Sequence, residues 1–253
     1  MPNSVTNAVI RSWLVTSKAG LYTFTPTGAM RVAYHISVTS SGGRSSMTNG
    51  EGYVKYTAEH RMAPAITVPH WAELNEARTK LHHLGLVGAN ADGVSFGNLS
   101  IRLQGDQFLI SGTATGASPV LDPDHYCLIS SFDIERNRVL STGPVQPSSE
   151  SMTHGAVYRS CPGANTVMHI HSREIFDGMV RDRFPATPEN AAYGTPEIAL
   201  AIGNCVQALD SDEGCIVLLG HDEGVIAYGP SVERAFMLIR ELYDRYLFYQ
   251  PPL

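Results

Sequence analysis

Thr166-Val167-Met168-His169-Ile170-His171-Ser172 is the stretch on which the fold of this chain turns. Its β-branched and apolar residues favour an extended strand, and successive side chains on a strand point to opposite faces. His169 and His171 therefore project the same way. A third imidazole, His221, follows directly on the apolar run Cys215-Ile216-Val217-Leu218-Leu219-Gly220, where a buried strand ends and a loop begins. Three nitrogen donors leave a coordination position open, the arrangement of a catalytic metal site rather than of a structural one closed by four protein ligands. Glu150, in Pro147-Ser148-Ser149-Glu150, is placed to act as a general base or as a fourth, displaceable ligand.

Working outward, the pattern predicts alternating helices and short strands. His70 to Leu84 sets Trp71, Leu74, Ala77, Leu81 and Leu84 at helical spacing, ended by Gly85 and Gly88. Short β-type runs follow at Leu99 to Leu103, Phe108 to Ile110, Tyr126 to Asp133 and Arg138 to Ser141, and their close spacing favours antiparallel pairing. Glu150 to Ser160 reads as a helix capped by Ser148 or Ser149, and Thr195 to Leu209 and Ser231 to Tyr249 read as two more. Residues 1–52 form a different text, rich in Thr, Ser, Val and Gly. It carries β-type runs at Ala8 to Thr16, Leu21 to Thr25 and Met30 to Thr39, a turn at Pro26-Thr27-Gly28, and a Ser/Gly-rich linker from Ser40 to Gly52. The expected division is an N-terminal β-rich extension and linker, 1–52, used for packing or oligomerisation, and an enzyme-sized domain, 53–253. His35 in the extension reads as a surface or interface residue.

A helix N-terminus presents unpaired N–H groups and partial positive charge, so Ser148 and Ser149 form an anion cradle suited to phosphate. Gly97-Asn98 and Thr113-Ala114-Thr115-Gly116 add small residues, hydroxyls and an amide where backbone can approach the same anion.

Composition narrows the function. At 253 residues and 27.4 kDa the chain can bury a sizeable core. A formal charge of −6, a pI near 5.9 and dispersed cations give no footing for nucleic acid or an anionic membrane. No apolar run approaches the roughly 20 residues of a membrane span and no secretory signal pattern is seen, so cytoplasmic residence is expected. Cys127, Cys161, Cys205 and Cys215 are widely spaced, without Cys-x-x-Cys, and read as reduced packing residues.

From about Trp71 to Tyr246 the chain resembles the class II aldolase and adducin family, in its fuculose phosphate aldolase-like branch. The resemblance is carried by Gly97-Asn98-Leu99-Ser100 with Arg102, Phe108-Leu109-Ile110-Ser111 leading to Thr115-Gly116, and Pro147-Ser148-Ser149-Glu150 with His154. His169-Ile170-His171-Ser172, Tyr193-Gly194-Thr195-Pro196-Glu197 and the region of His221 complete it. It implies an α/β fold, a three-layer α/β/α sandwich with a largely antiparallel central sheet, in a homotetramer with sites near subunit boundaries. It also implies one divalent metal per subunit, commonly zinc with manganese, cobalt or iron as alternatives, on His169, His171 and His221. Glu150 would be the base, and Gly97, Asn98, Thr115, Gly116, Ser148 and Ser149 would hold the phosphate of a sugar phosphate. The expected activity is that of a lyase of carbohydrate metabolism, making or breaking a carbon–carbon bond in a ketose phosphate or similar hydroxy-ketone through a metal-stabilised enediolate.

The chain departs from the family in two places. Arg173 to Asn190 is short and lacks the tyrosine that serves the aldolases as acid, which leaves Tyr193, Asp222, Glu223 and Tyr246 as candidate donors. Asp222 and Glu223 also intervene between His221 and Gly224, where the family places glycine directly after the histidine. Rival readings are an epimerase or dehydratase on the same metal, an iron-dependent oxygenase, and a non-catalytic adducin-like assembly module. The His-x-His pair argues against the last, because adducin heads lack it.

Overall fold

The computed structural model describes residues 15–17, 20–22 and 55–248. In the two short stretches, β1 (Val15–Ser17) pairs antiparallel with β2 (Gly20–Tyr22). The run Met30 to Thr39, the turn at Pro26-Thr27-Gly28, His35 and the linker lie outside the described residues.

The main domain begins with β3 (Thr57–Met62), α1 (Trp71–His83), a small hairpin of β4 (Gly88–Ala89) and β5 (Ser95–Phe96), then β6 (Asn98–Arg102) and β7 (Phe108–Ser111). There follow β8 (Tyr126–Asp133), β9 (Arg138–Gly143), α2 (Ser151–Ser160), β10 (Thr166–His171) and α3 (Arg173–Arg181). It ends with α4 (Pro196–Leu209), β11 (Gly214–Val217), β12 (Gly224–Gly229) and α5 (Val232–Tyr243), continued by a π-helical turn over Asp244–Phe248. Eight strands form one sheet in the order β11-β12-β10-β6-β7-β8-β9-β3. The sheet is mixed: β3 lies parallel to β9 at one edge, and the neighbours from β9 through β11 pair antiparallel.

Both faces of the sheet are covered. One core packs Met152, Ala156 and Val157 of α2 and Ile198, Ala199, Ile202 and Val206 of α4 on Phe108, Ile110, Ile129, Val167, Ile226 and Tyr228. The other packs α1, α3 and α5, through Leu74, Leu81, Ile175, Met179, Ala235 and Ile239, on Leu99, Ile101, Met168, Ile170, Val225 and Ala227. Each buried Leu or Ile contributes about 1.5–3 kcal/mol, and the alternation of partners fixes strand register, because a slip of one residue would exchange the two faces. In β10, Val167 faces α2 and α4 while Met168 and Ile170 face the other way. His169 and His171 thus lie on the α2 side.

Local chemistry sets the element ends. Gly85, at φ 72°, ends the α1 turn with Leu86 N–H donating to Leu81 O at 3.0 Å and Gly85 N–H to His82 O at 3.0 Å, the Schellman pattern. Ser172 caps α3 and Ser231 caps α5 through their side chains. The expected cap of α2 is corrected: Glu150 occupies the N-cap position, with no side-chain cap bond. Ser148 Oγ instead accepts from Glu150 N–H at 3.3 Å, while its carbonyl accepts from the Tyr56 hydroxyl at 2.7 Å and the Ser151 hydroxyl at 2.7 Å. Competition from these neighbours moves the helix start past both serines. The last helix is also shorter than its apolar stripe suggests, because the backbone widens into the π turn after Tyr243. Among the described residues no helix is long and apolar enough to cross a membrane.

Candidate metal centre

β10 is a central strand, flanked antiparallel by β6 and β12, so the position of each side chain is fixed from both sides. His169 stands in register between Asn98 and Ile226, and His171 stands opposite Gly224. His221 arrives from the loop joining β11 to β12, which is folded back by His221 N–H donating to Leu218 O at 2.9 Å and Gly224 N–H donating to His221 O at 2.9 Å. Ring centroids are 4.9 Å apart for His169 and His171, 5.0 Å for His169 and His221, and 4.7 Å for His171 and His221. One nitrogen of each lies within 4.8 Å of the others. Gly224 makes this approach possible, since a Cβ there would stand 2.8 Å from His221 Cδ2 and 3.3 Å from His169 Nε2.

The three rings are buried, at 1%, 8% and 4% exposure for His169, His171 and His221. Burial, reinforced by the neighbouring imidazoles, holds His169 well below the usual histidine range. Burial together with His171 and Lys55 does the same for His221, and burial lowers His171 to about 4 against a partial upward pull from Asp222. The rings are therefore neutral at physiological pH, the state in which imidazole donates to a metal. Both ring nitrogens of His169 lack a hydrogen-bond partner. Leaving a buried polar atom unsatisfied costs about 1–3 kcal/mol, a strain that a coordinated ion would remove. The donor set of three imidazoles with an adjacent carboxylate fits a borderline-soft divalent ion such as zinc.

One turn into α2, His154 is fully buried and burial lowers it to about 3. Its Nδ1 is 2.7 Å from Ser100 Oγ, which lies 2.7 Å from the Tyr158 hydroxyl. These depressed values contribute to the acid response of the metal-free chain, alongside the lowered His60 and His82. Above pH 6.5 the four histidines are neutral both folded and unfolded; below it the unfolded chain takes up protons that the folded chain refuses. Stability should therefore fall as pH drops from 6.5, until His171 itself titrates at about 4 and His154 at about 3. Urea midpoints of metal-free protein should be lower at about pH 5 than at about pH 7.5; equal midpoints would contradict neutral buried rings.

Glu150 is 2% exposed, and its Oε2 is 3.9 Å from His169 Nδ1. A cavity of about 20 Å³ between them is lined by Ser95, Phe96, Gly97, Asn98, Ser149, Glu150, the three histidines and Tyr193. Gly97 has φ 71°, and a Cβ there would meet Val87 at 2.6 Å and His169 O at 3.0 Å, so only glycine lets β6 start against β10. Ser148, Thr115 and Gly116 stand behind this lining. Thr115 Oγ1 donates to Gly112 O at 2.8 Å, and Gly116 N–H donates to the cavity-facing Ser95 Oγ at 3.0 Å. Arg78, buried beneath that loop, donates to the carbonyls of Thr115, Gly116 and Pro119 at 3.2, 3.1 and 2.9 Å.

The candidate proton donors separate clearly. Tyr193 lines the cavity and stacks on His221 with centroids 4.5 Å apart and planes 28° apart. Asp222 and Glu223 turn outward to Arg173, at 2.5 and 3.3 Å. The Tyr246 hydroxyl donates to Asp182 Oδ2 at 2.8 Å. Ser95 and Phe96 were not singled out by sequence reasoning; their signal was adjacency to Gly97-Asn98.

Fold and cluster together describe an α/β domain with a candidate metal centre at the end of a central strand. The family model of the class II aldolase and adducin N-terminal domain matches residues 72–245, and the chain belongs to that family. Among solved structures, L-fuculose-1-phosphate aldolase from Thermus thermophilus is similar at a TM-score of 0.50 and 22% identity, over 72% of this chain and 98% of that one. A second L-fuculose 1-phosphate aldolase gives 0.53 and 19%, over 75% and 92%. YgbL from Klebsiella pneumoniae, whose assignment is left between aldolase, epimerase and decarboxylase, gives 0.52 and 19%, over 70% and 87%. At these identities the likeness is one of fold. No curated protein sequence matches the chain.

Proposed function

We propose that this protein is a cytoplasmic, divalent-metal-dependent aldehyde-lyase of the class II aldolase type, a homotetramer that makes or breaks a carbon–carbon bond in a ketose phosphate or similar hydroxy-ketone. The observation that carries this reading is the buried trio His169, His171 and His221, with ligand nitrogens within 4.8 Å of one another and the Glu150 carboxylate in the same cavity. These three rings would hold the ion, zinc by preference. When bound, it would polarise the substrate carbonyl and stabilise the negative charge that develops on the carbonyl oxygen.

The chain's own residues supply the rest. Glu150 removes a proton from the carbon next to the carbonyl in condensation, and in cleavage returns one to it. Tyr193, beside His221, serves the aldehyde oxygen as acid, a role supported by its place in the cavity lining. Gly97, Asn98 and Ser149 face the same space and would meet the phosphate, while Ser148, Thr115 and Gly116 would shape the wall behind them. Asn98 Oδ1 is buried without a hydrogen-bond partner, which leaves it available to a donor on a ligand.

Full-length protein, stripped and reloaded separately with zinc, manganese, cobalt and iron, should cleave one or more ketose 1-phosphates to dihydroxyacetone phosphate and an aldehyde. Products that keep the carbon skeleton would instead indicate an epimerase or dehydratase. Oxygen uptake confined to the iron form would indicate an oxygenase. A chain that rebinds none of these metals and turns over no substrate would be an assembly module.

A further inference from the structure

We infer that Arg173 is a positioning residue for the metal trio, latching the loop that carries His221 to the end of the strand that carries His169 and His171. The inference rests on the metal-centre reading above. β10 ends at His171, Ser172 caps α3, and Arg173 is the first residue of that helix. The guanidinium reaches Asp222 Oδ2 at 2.5 Å and Glu223 Oε1 at 3.3 Å, and Asp177 Oδ1 at 3.7 Å from its own helix. Backbone seconds the tie, with Ser172 N–H donating to Glu223 O at 3.2 Å.

The geometry makes this more than a surface ion pair. Asp222 follows His221 immediately, and Arg173 follows His171 by two residues, so the clamp closes a short circuit between two ligands whose Nε2 atoms lie 3.2 Å apart. The loop also holds Glu223 at φ 61°, a left-handed conformation unfavourable for a non-glycine residue, which persists only where its surroundings enforce it. A loop released from Arg173 is free to relax away from that conformation, and His221 moves with it. Arg173 and Glu223 further line a cavity of about 320 Å³ that shares Phe96 and His171 with the metal cavity, which places the latch at the side of the site. Asp222 and Glu223 are thereby assigned a role: they are the loop's half of the latch.

Each pair is partly exposed, with Arg173 at 43% and Asp222 at 62%, so the effect on global stability is small. The effect on one ligand's placement is read directly by metal affinity. Cobalt binding to the full chain, measured by chelator competition and by the visible spectrum of the bound ion, tests it. R173Q should raise the cobalt Kd roughly three- to ten-fold and alter the spectrum, and R173K, which keeps the charge but not the fork, should fall between. D222N/E223Q should reproduce the R173Q value, and combining all three changes should add nothing further, the signature of one shared interaction. Should R173Q fold poorly, D222N/E223Q removes the same contacts from the other side. Parent and variants with equal Kd would overturn the latch while leaving the metal centre standing. A loss of affinity matched by collapse of the metal-free fold in both variants would also overturn it, and a parent that binds no cobalt would remove latch and metal centre together.

Discussion

His169→Ala should abolish stoichiometric zinc binding and with it all turnover. The ring stands between β6 and β12 at 1% exposure, and the donors left around it, His171, His221 and the Glu150 carboxylate, do not restore a set of three imidazoles. Structural zinc sites gain about 10–16 kcal/mol from four ligands, so loss of one imidazole of three should raise Kd by on the order of 10²-fold or more. The metal-free variant should nevertheless remain folded. Deleting a large buried side chain costs about 2–5 kcal/mol, but here it also removes two buried nitrogens that lack hydrogen-bond partners, each an expense of about 1–3 kcal/mol. Elemental analysis after dialysis, with urea unfolding of the metal-free forms, measures both effects. Full zinc occupancy in this variant would remove the trio from the mechanism.

Glu150→Gln should keep one metal per chain and lose about 10²–10⁴ in turnover, the usual worth of a positioned general base. Glutamine preserves the shape of the side chain, and the three imidazoles would hold the ion without it. What disappears is the capacity to accept a proton at a buried carboxylate 3.9 Å from His169 Nδ1. Exchange of the substrate's carbon-bound proton with solvent should fall in parallel with turnover. Undiminished exchange in a metal-loaded variant would show that another group serves as base; loss of metal along with activity would recast Glu150 as a ligand.

Much of the site was legible because its signals are local. A His-x-His pair in a β-favouring run can only present both rings to one face of a strand, and β10 does so, with Met168 and Ile170 buried on the opposite side. The end of α1 was legible in Gly85, which alone adopts the required left-handed turn without strain. Other features were not. α3 was missed although Ile175, Phe176 and Met179 sit at helical spacing, because the helix is short and carries Gly178, a poor helix former. That glycine is explained only by Tyr246, 64 residues nearer the C-terminus than its bonding partner Asp182, whose ring would meet an added Cβ at 2.5 Å. β12 was missed for a different reason: Gly224–Gly229 is buried on both faces, so its residues show no alternation.

The sequence by itself determined the paired histidines, the strand that carries them, the carboxylate ahead of α2 and the glycine-bearing Gly97-Asn98 and Thr115-Gly116 loops, since each rests on backbone period or on residues a few positions apart. Tertiary structure alone decided how the separated pieces meet. It brought His221 to within 3.2 Å of His171 between Nε2 atoms, chose Tyr193 over Tyr246 as the tyrosine facing the cavity, and turned Asp222 and Glu223 outward onto Arg173. The physical reason is that register between strands distant in sequence is set by the two apolar cores on either face of the sheet, and no local period encodes which loop those cores will press against which strand.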